Sequence, residues 1–169
     1  MVAAPHGPGS EGEALTCDAI AVSDTRTERD DASGQAIRQQ LREAGHVVGS
    51  YTIVPDDPQR VRALLQQSCE RRDLAAAIVS GGTGIAPRDT TYEAIASLLE
   101  QTLPGFGELF RWLSYQEIGS RALASRAIAG VRGRTLIFAL PGSTAAVRLA
   151  LERLIVPELP HLAQQLRGR

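Results

Sequence analysis

The chain contains no lysine: all eighteen of its basic residues are arginine. That removes a Walker A lysine, a Schiff-base lysine and a lysine general base from consideration. Histidine is scarce, with His6 near the start, His46 in a predicted turn and His161 near the end. None sits in a catalytic motif, so a histidine triad and a histidine-ligated metal are both disfavoured, and His46 reads as a polar turn residue. The two cysteines, Cys17 and Cys69, make neither a CxxC nor a zinc spacing and read as buried free thiols. No apolar run approaches the ~20 residues that span a bilayer, and the first residues lack a signal-peptide pattern. The net charge is −1, too small to attract nucleic acid by bulk electrostatics. The expectation is a cytoplasmic protein without membrane or nucleic-acid partners. Carboxylates, hydroxyls, arginines and backbone amides remain for chemistry. Such a set suits metal-assisted phosphoryl or nucleotidyl transfer, where positioning and electrostatics do most of the catalysis.

What is present is ordinary for a globular protein: 43% apolar and 22% charged residues over 169 positions. Residues 1–14, rich in Gly, Pro and small side chains, read as a disordered tail, and residues 15–169 as a single domain. Strand patterns at 15–23, 47–54, 75–79 and 135–140 alternate with helical patterns between and after them. This predicts an α/β fold: a three-layer sandwich around a mostly parallel sheet. Ser23-Asp24-Thr25 after the first strand lacks the G-x-G-x-x-G of a dinucleotide-binding unit. Asp57 and Pro58 predict a helix start as N-cap and first helical residue. Ser143 or Thr144 caps another, while Gly45 closes the helix before the second strand. Phe106, Leu109, Phe110, Trp112 and Leu113 give an aromatic helix stripe that reads as core or subunit interface.

The stretch from Ala75 to Asp89 organises the rest. An apolar strand ends at Val79, Ser80-Gly81-Gly82-Thr83-Gly84 follows, and Arg88-Asp89 precedes a helix opening at Thr91. The glycines alone allow two readings: a tight turn, or a cradle whose backbone N–H groups meet an anion at a helix start. An Arg and an Asp at the carboxyl end of a buried strand favour the cradle, because open α/β sheets bind ligands there. Asp56, just before the Asp57 cap, reads either as turn chemistry or as a second carboxylate on the same edge. Together Asp56 and Asp89 have the makings of a Mg²⁺ site. Pro141-Gly142-Ser143 forms a further strand-to-helix turn, at once a cap and a possible set of ligand-facing amides.

Ser80-Gly81-Gly82-Thr83-Gly84, Arg88-Asp89, Asp31-Ala32-Ser33-Gly34, Pro55-Asp56 and Leu140-Pro141-Gly142-Ser143 together resemble the molybdopterin-binding MoaB/Mog family of molybdenum cofactor biosynthesis. The segment from Gly105 to Gly119 is similar to MoaB in particular. The resemblance spans about residues 15 to 165 and departs at Tyr92, where the family usually carries proline. It implies a trimer or hexamer of one α/β domain. It also implies molybdopterin and ATP as substrates, with Mg²⁺, for transfer of AMP to the pterin phosphate. Asp56 and Asp89 match the family's functional aspartates. Ser80, Gly81, Gly82, Thr83, Gly84, Arg88, Pro141, Gly142, Ser143, Asp31, Ser33 and Gly34 match its binding motifs. The alternatives are a non-catalytic molybdopterin binder or carrier, working with other proteins of the pathway, and a nucleotide-pyrophosphate hydrolase of related fold.

Overall fold

The computed structural model describes residues 13–168, so the predicted tail lies outside the described residues up to position 12. Of the tail's last two residues, Glu13 is tied down by Arg167, whose Nη1 donates to it at 2.5 Å. Six strands form one sheet: β1 (Thr16–Val22), β2 (Val47–Val54), β3 (Leu74–Ser80), β4 (Gln101–Thr102), β5 (Ile128–Arg132) and β6 (Thr135–Leu140), in the order β2-β1-β3-β6-β5-β4. The first four in that order run parallel, β5 runs antiparallel to β6, and β4 antiparallel to β5. β3 and β6 are buried along their whole length. Strands covered on both faces need apolar residues at every position, which explains Ala-Ala-Ala-Ile-Val and Leu-Ile-Phe-Ala-Leu.

Helices cover both faces. On one side lie α1 (Ala32–Glu43), α4 (Pro104–Ile118), α5 (Thr144–Ala150) and α6 (Val156–Leu166), packing Ile37, Leu41, Phe110, Val147 and Leu159 against the sheet. On the other lie α2 (Pro58–Cys69) and α3 (Thr91–Ala96), contributing Val61, Leu65 and Ile95. This is the three-layer α/β sandwich that the alternating patterns predict. The Asp57 carboxylate accepts the Gln59 and Arg60 amides at 2.9 and 2.8 Å, the expected cap. Gly45 ends α1 at φ 82°, a conformation that favours glycine.

Three local expectations need correction. Val147, Ala150, Leu151 and Leu154 read as one helix and residues 157–166 as a second, yet α5 and α6 join through a π turn at Leu151–Ile155. Leu151, Ile155 and Leu159 recur at four-residue steps and are fully buried, so one stripe holds the rod together. The widened turn accommodates Pro157, which has no amide to donate. His46 is no free turn residue: it is buried, and its Nδ1 accepts the Leu15 amide at 3.4 Å. Cys17 is a buried free thiol, whereas Cys69 is only half-buried.

Candidate functional site

The parallel register puts four strand ends on one edge. Val22 pairs with Val54, Ala21 with Ser80, and Ser80 with Leu140. Asp24, Asp56, Gly81 and Gly142 therefore emerge within two residues of their strands at one rim. β1 has β2 on one side and β3 on the other, so the chain reverses direction across the sheet there, and such a switch point opens a crevice. A cavity of about 470 Å³ occupies it, lined by Asp24, Arg26, Asp56, Gly81–Gly84, Arg88, Asp89, Arg121, Ser125, Pro141 and Gly142, among others. Its size is that of a small-molecule site.

Asp56 and Asp89 share this cavity. Asp56 accepts from the Thr90 and Thr91 hydroxyls at 3.4 Å each. Asp89 folds back to accept the Ala86 amide at 2.9 Å. Partial burial holds the Asp56 carboxyl above its usual range, and the negative charge of Asp89 adds to the effect. Among the described residues no arginine forms an ion pair with either carboxylate. The site therefore has negative charge unspent beside three arginines that line other parts of the wall.

The glycine loop is shaped first by the protein itself. A Cβ at Gly81 would stand 2.3 Å from the Val22 carbonyl oxygen, and one at Gly82 would stand 2.1 Å from Thr91 Oγ1 and 2.8 Å from Asp56 Oδ2. Both have positive φ, 104° and 65°. Glycine thus lets the loop lie against β1 and lets Asp56 reach the cavity. The Gly81 amide donates to the Leu140 carbonyl at 3.0 Å, so it is already committed and leaves the anion-cradle set. The loop's far end is braced by Arg126. Its guanidinium donates to the Gly84 carbonyl at 3.1 Å, lies 4.3 Å over the Tyr92 ring and pairs with Glu93.

The model for the family described as "Probable molybdopterin binding domain" matches residues 18–161. The chain belongs to this molybdopterin-binding family. It is 48% identical over 153 residues to Molybdenum cofactor biosynthesis protein B of Bacillus anthracis, covering 90% of each chain. Against the Bacillus subtilis protein of the same name it is 47% identical over 154 residues, 90% of this chain and 91% of the other. A crystal structure of Molybdenum cofactor biosynthesis protein B superposes with a TM-score of 0.92 at 45% identity, covering 95% of this chain and 100% of that one. The tungsten cofactor synthesizing protein MoaB from Pyrococcus furiosus gives 0.82 at 38% identity, covering 92% of this chain and 98% of that one. These likenesses place the chain in the molybdenum cofactor biosynthesis protein B family, with the MoaB/Mog fold.

Within this family member the motif residues sort into two groups. Asp56, Asp89, Gly81, Gly82, Thr83, Gly84, Arg88, Pro141 and Gly142 line the cavity. Ser80, Ser143, Asp31, Ser33 and Gly34 are not among its lining residues. Ser143 spends its hydroxyl on the Ala146 amide as cap of α5. Ser80 is buried in the last pair of β3, its hydroxyl without a partner among the described residues. Ser33 Oγ donates to the Gly142 carbonyl at 2.9 Å and so holds the neighbouring turn. Asp31 is wholly buried behind the rim, bonded to Arg26 and Tyr51. Sequence reasoning missed Asp24, Arg26 and Arg121 as wall residues. For Asp24 and Arg26 a signal existed: both lie just beyond the end of a strand parallel to β3.

Proposed function

We propose that this protein binds molybdopterin and transfers AMP to its terminal phosphate from Mg-ATP, releasing pyrophosphate. One observation carries the reading: Asp56, two residues past β2, and Asp89, late in the segment between β3 and α3, face one cavity beside the glycine loop, and neither forms an ion pair with an arginine among the described residues. That donor set fits Mg²⁺, which takes one or two carboxylates and fills its other positions with phosphate oxygens and water. No group of three or more acidic, His or Cys side chains that could hold a metal occurs among the described residues, so the reading requires the nucleotide to supply further oxygen ligands. Asp56 and Asp89 would hold the ion, which when bound supplies charge neutralisation at the α-phosphate.

The chain's own residues do the rest. A terminal phosphate oxygen of the pterin forms a bond to the α-phosphorus, and the bond from that phosphorus to the β-phosphate bridging oxygen breaks. No proton transfer is needed, which suits a site without histidine or lysine. Arginines on the wall, Arg88 among them, offset charge on the departing pyrophosphate. Free amides of the Gly82–Gly84 segment and of the Gly142 turn orient the phosphates. The copies associate, as a trimer or a pair of trimers, through the outer face of α4. Leu109, Trp112, Tyr115 and Ile118 stand there at 50–62% exposure, an apolar patch of the kind that marks interfaces.

The test is mass spectrometry of the product after incubation with molybdopterin and Mg-ATP. Adenylyl-molybdopterin with equimolar pyrophosphate is the expected result. Molybdopterin bound but recovered unchanged would reduce the protein to a binder or carrier in the same pathway.

A further inference from the structure

Three arginines line the cavity, and they differ in how they are held. Arg88 and Arg121 have no hydrogen-bonding or ionic partner among the described residues. Arg26 is anchored at several points. Its Nη1 donates to Asp31 Oδ1 at 3.3 Å, and Nη1 and Nη2 both donate to the Gly142 carbonyl at 3.3 Å. Its own backbone is fixed as well, since Ser23 Oγ accepts the Arg26 amide at 3.1 Å. The Nε hydrogen and one Nη2 hydrogen remain for a ligand.

The anchor is itself anchored. Asp31 is fully buried, and its second oxygen, Oδ2, accepts the Tyr51 hydroxyl at 2.6 Å. Arg38 stacks on the Tyr51 ring, its guanidinium carbon 4.0 Å from the centroid. Gly34 makes the contact possible. A Cβ there would fall 2.2 Å from Asp31 Oδ2 and 2.6 Å from Tyr51 Cε2, forcing the pair apart. The Asp31-x-Ser33-Gly34 motif thus serves the cavity from behind. Asp31 and Gly34 fix Arg26, and Ser33 fixes the Gly142 carbonyl that Arg26 also grips.

We infer that Arg26 is the cavity's fixed phosphate-binding cation, and that Tyr51, acting through Asp31, is its positioning residue. A guanidinium locked in place before the ligand arrives loses little freedom on binding, whereas the unanchored Arg88 and Arg121 must be ordered by it. The inference rests on reading the cavity as a phosphate site and does not depend on whether adenylyl transfer follows.

The test is calorimetric titration of the full chain with inorganic pyrophosphate, without metal, using Arg26→Gln, Arg88→Gln, Tyr51→Phe and the Arg26→Gln/Tyr51→Phe double variant. Arg26→Gln is expected to weaken binding roughly ten- to a hundredfold, the loss of a charge-assisted hydrogen bond. Arg88→Gln should cost less. Tyr51→Phe, which keeps the ring and its packing, should weaken binding about three- to tenfold, yet add nothing in the Arg26→Gln background. An unchanged affinity in Arg26→Gln overturns the inference, as does a loss in Arg88→Gln that equals or exceeds it. So does a Tyr51→Phe effect that persists without Arg26, or wild-type protein that binds no pyrophosphate. Failure of the adenylyl-transfer reading shows separately, as binding of pyrophosphate by a protein that forms no adenylylated product.

Discussion

The two ends of the parallel strands carry the same residue types and treat them in opposite ways. At the amino edge Asp18, 1% exposed, is gripped by Arg71 Nη1 at 3.0 and 2.9 Å, while Arg71 Nη2 holds Asp73 at 3.0 Å. Gly49 in β2 leaves the room, since a Cβ there would come within 2.9 Å of both Arg71 Nη2 and Asp18 Oδ1. Each of these three charges has a partner. At the carboxyl edge Asp56 and Asp89 face a cavity with no such partner, and burial together with mutual repulsion keeps Asp56 harder to ionise than usual. A closed ion pair stabilises the fold and has nothing left for a ligand. A frustrated carboxylate pair costs stability and is ready to take a cation.

That contrast is open to attack from both ends. Asp56→Asn and Asp89→Asn should each lower the rate of AMP transfer by about a hundredfold or more, several kcal/mol of transition-state stabilisation, read from product formation under saturating Mg-ATP. Asp18→Asn should instead leave turnover per folded molecule intact and lower Tm by roughly 3–10 °C. Arg71 then keeps only Asp73, and its partial exposure softens the loss. Asp56→Asn should raise Tm at neutral pH by about 1–3 °C. The sign follows from linkage: a carboxyl whose folded pKa is raised contributes stability at low pH, and that stability is lost as pH rises through the folded value. The gain should therefore shrink on acidification.

Burial has the opposite consequence at His46. It lowers the folded pKa from an unperturbed 6.5, so stability is whole above that value and falls as the unfolded chain takes up protons below it. Tm measured at pH 7.5 and 5.5 should differ by about 1–3 °C more in the wild type than in His46→Gln, which can still accept the Leu15 amide. The smallest effect is at Cys17, whose thiol burial pushes up to about 12. In the native protein it should not react with a disulfide reagent on the time scale that modifies the half-buried Cys69.

The four parallel strands were legible because their patterns are unambiguous, whereas the antiparallel β5 was not read as a strand. Buried parallel strands are apolar at every position, and Asp57-Pro58 and Gly45 mark a helix start and stop by local chemistry. The two-residue strand Gln101–Thr102 was not legible, since both residues are exposed and only the partner β5 makes them a strand. Nor did the prolines at 157 and 160 announce a continuous rod, because the stripe from Leu151 to Leu159 is a tertiary constraint. At the site, Asp56, Asp89 and the glycine loop could be placed on one edge from strand order alone. The division between lining residues and supporting ones could not. Ser33, Gly34 and Asp31 look like a loop aimed at a ligand until the Tyr51 hydroxyl, twenty residues on in β2, is found bonded to Asp31. The anchoring of Arg26 was hidden for the same reason: its partner Gly142 lies 116 residues away.

The central claim is that Asp56 and Asp89 act together as a cation-dependent phosphate site. Mn²⁺ binding in the presence of ATP, followed by electron paramagnetic resonance, tests it most directly when the wild type is set against the Asp56→Asn/Asp89→Asn double variant. Mn²⁺ should be immobilised on the wild-type protein and at least tenfold more weakly bound by a double variant that remains folded. Equal binding by the two proteins would contradict it.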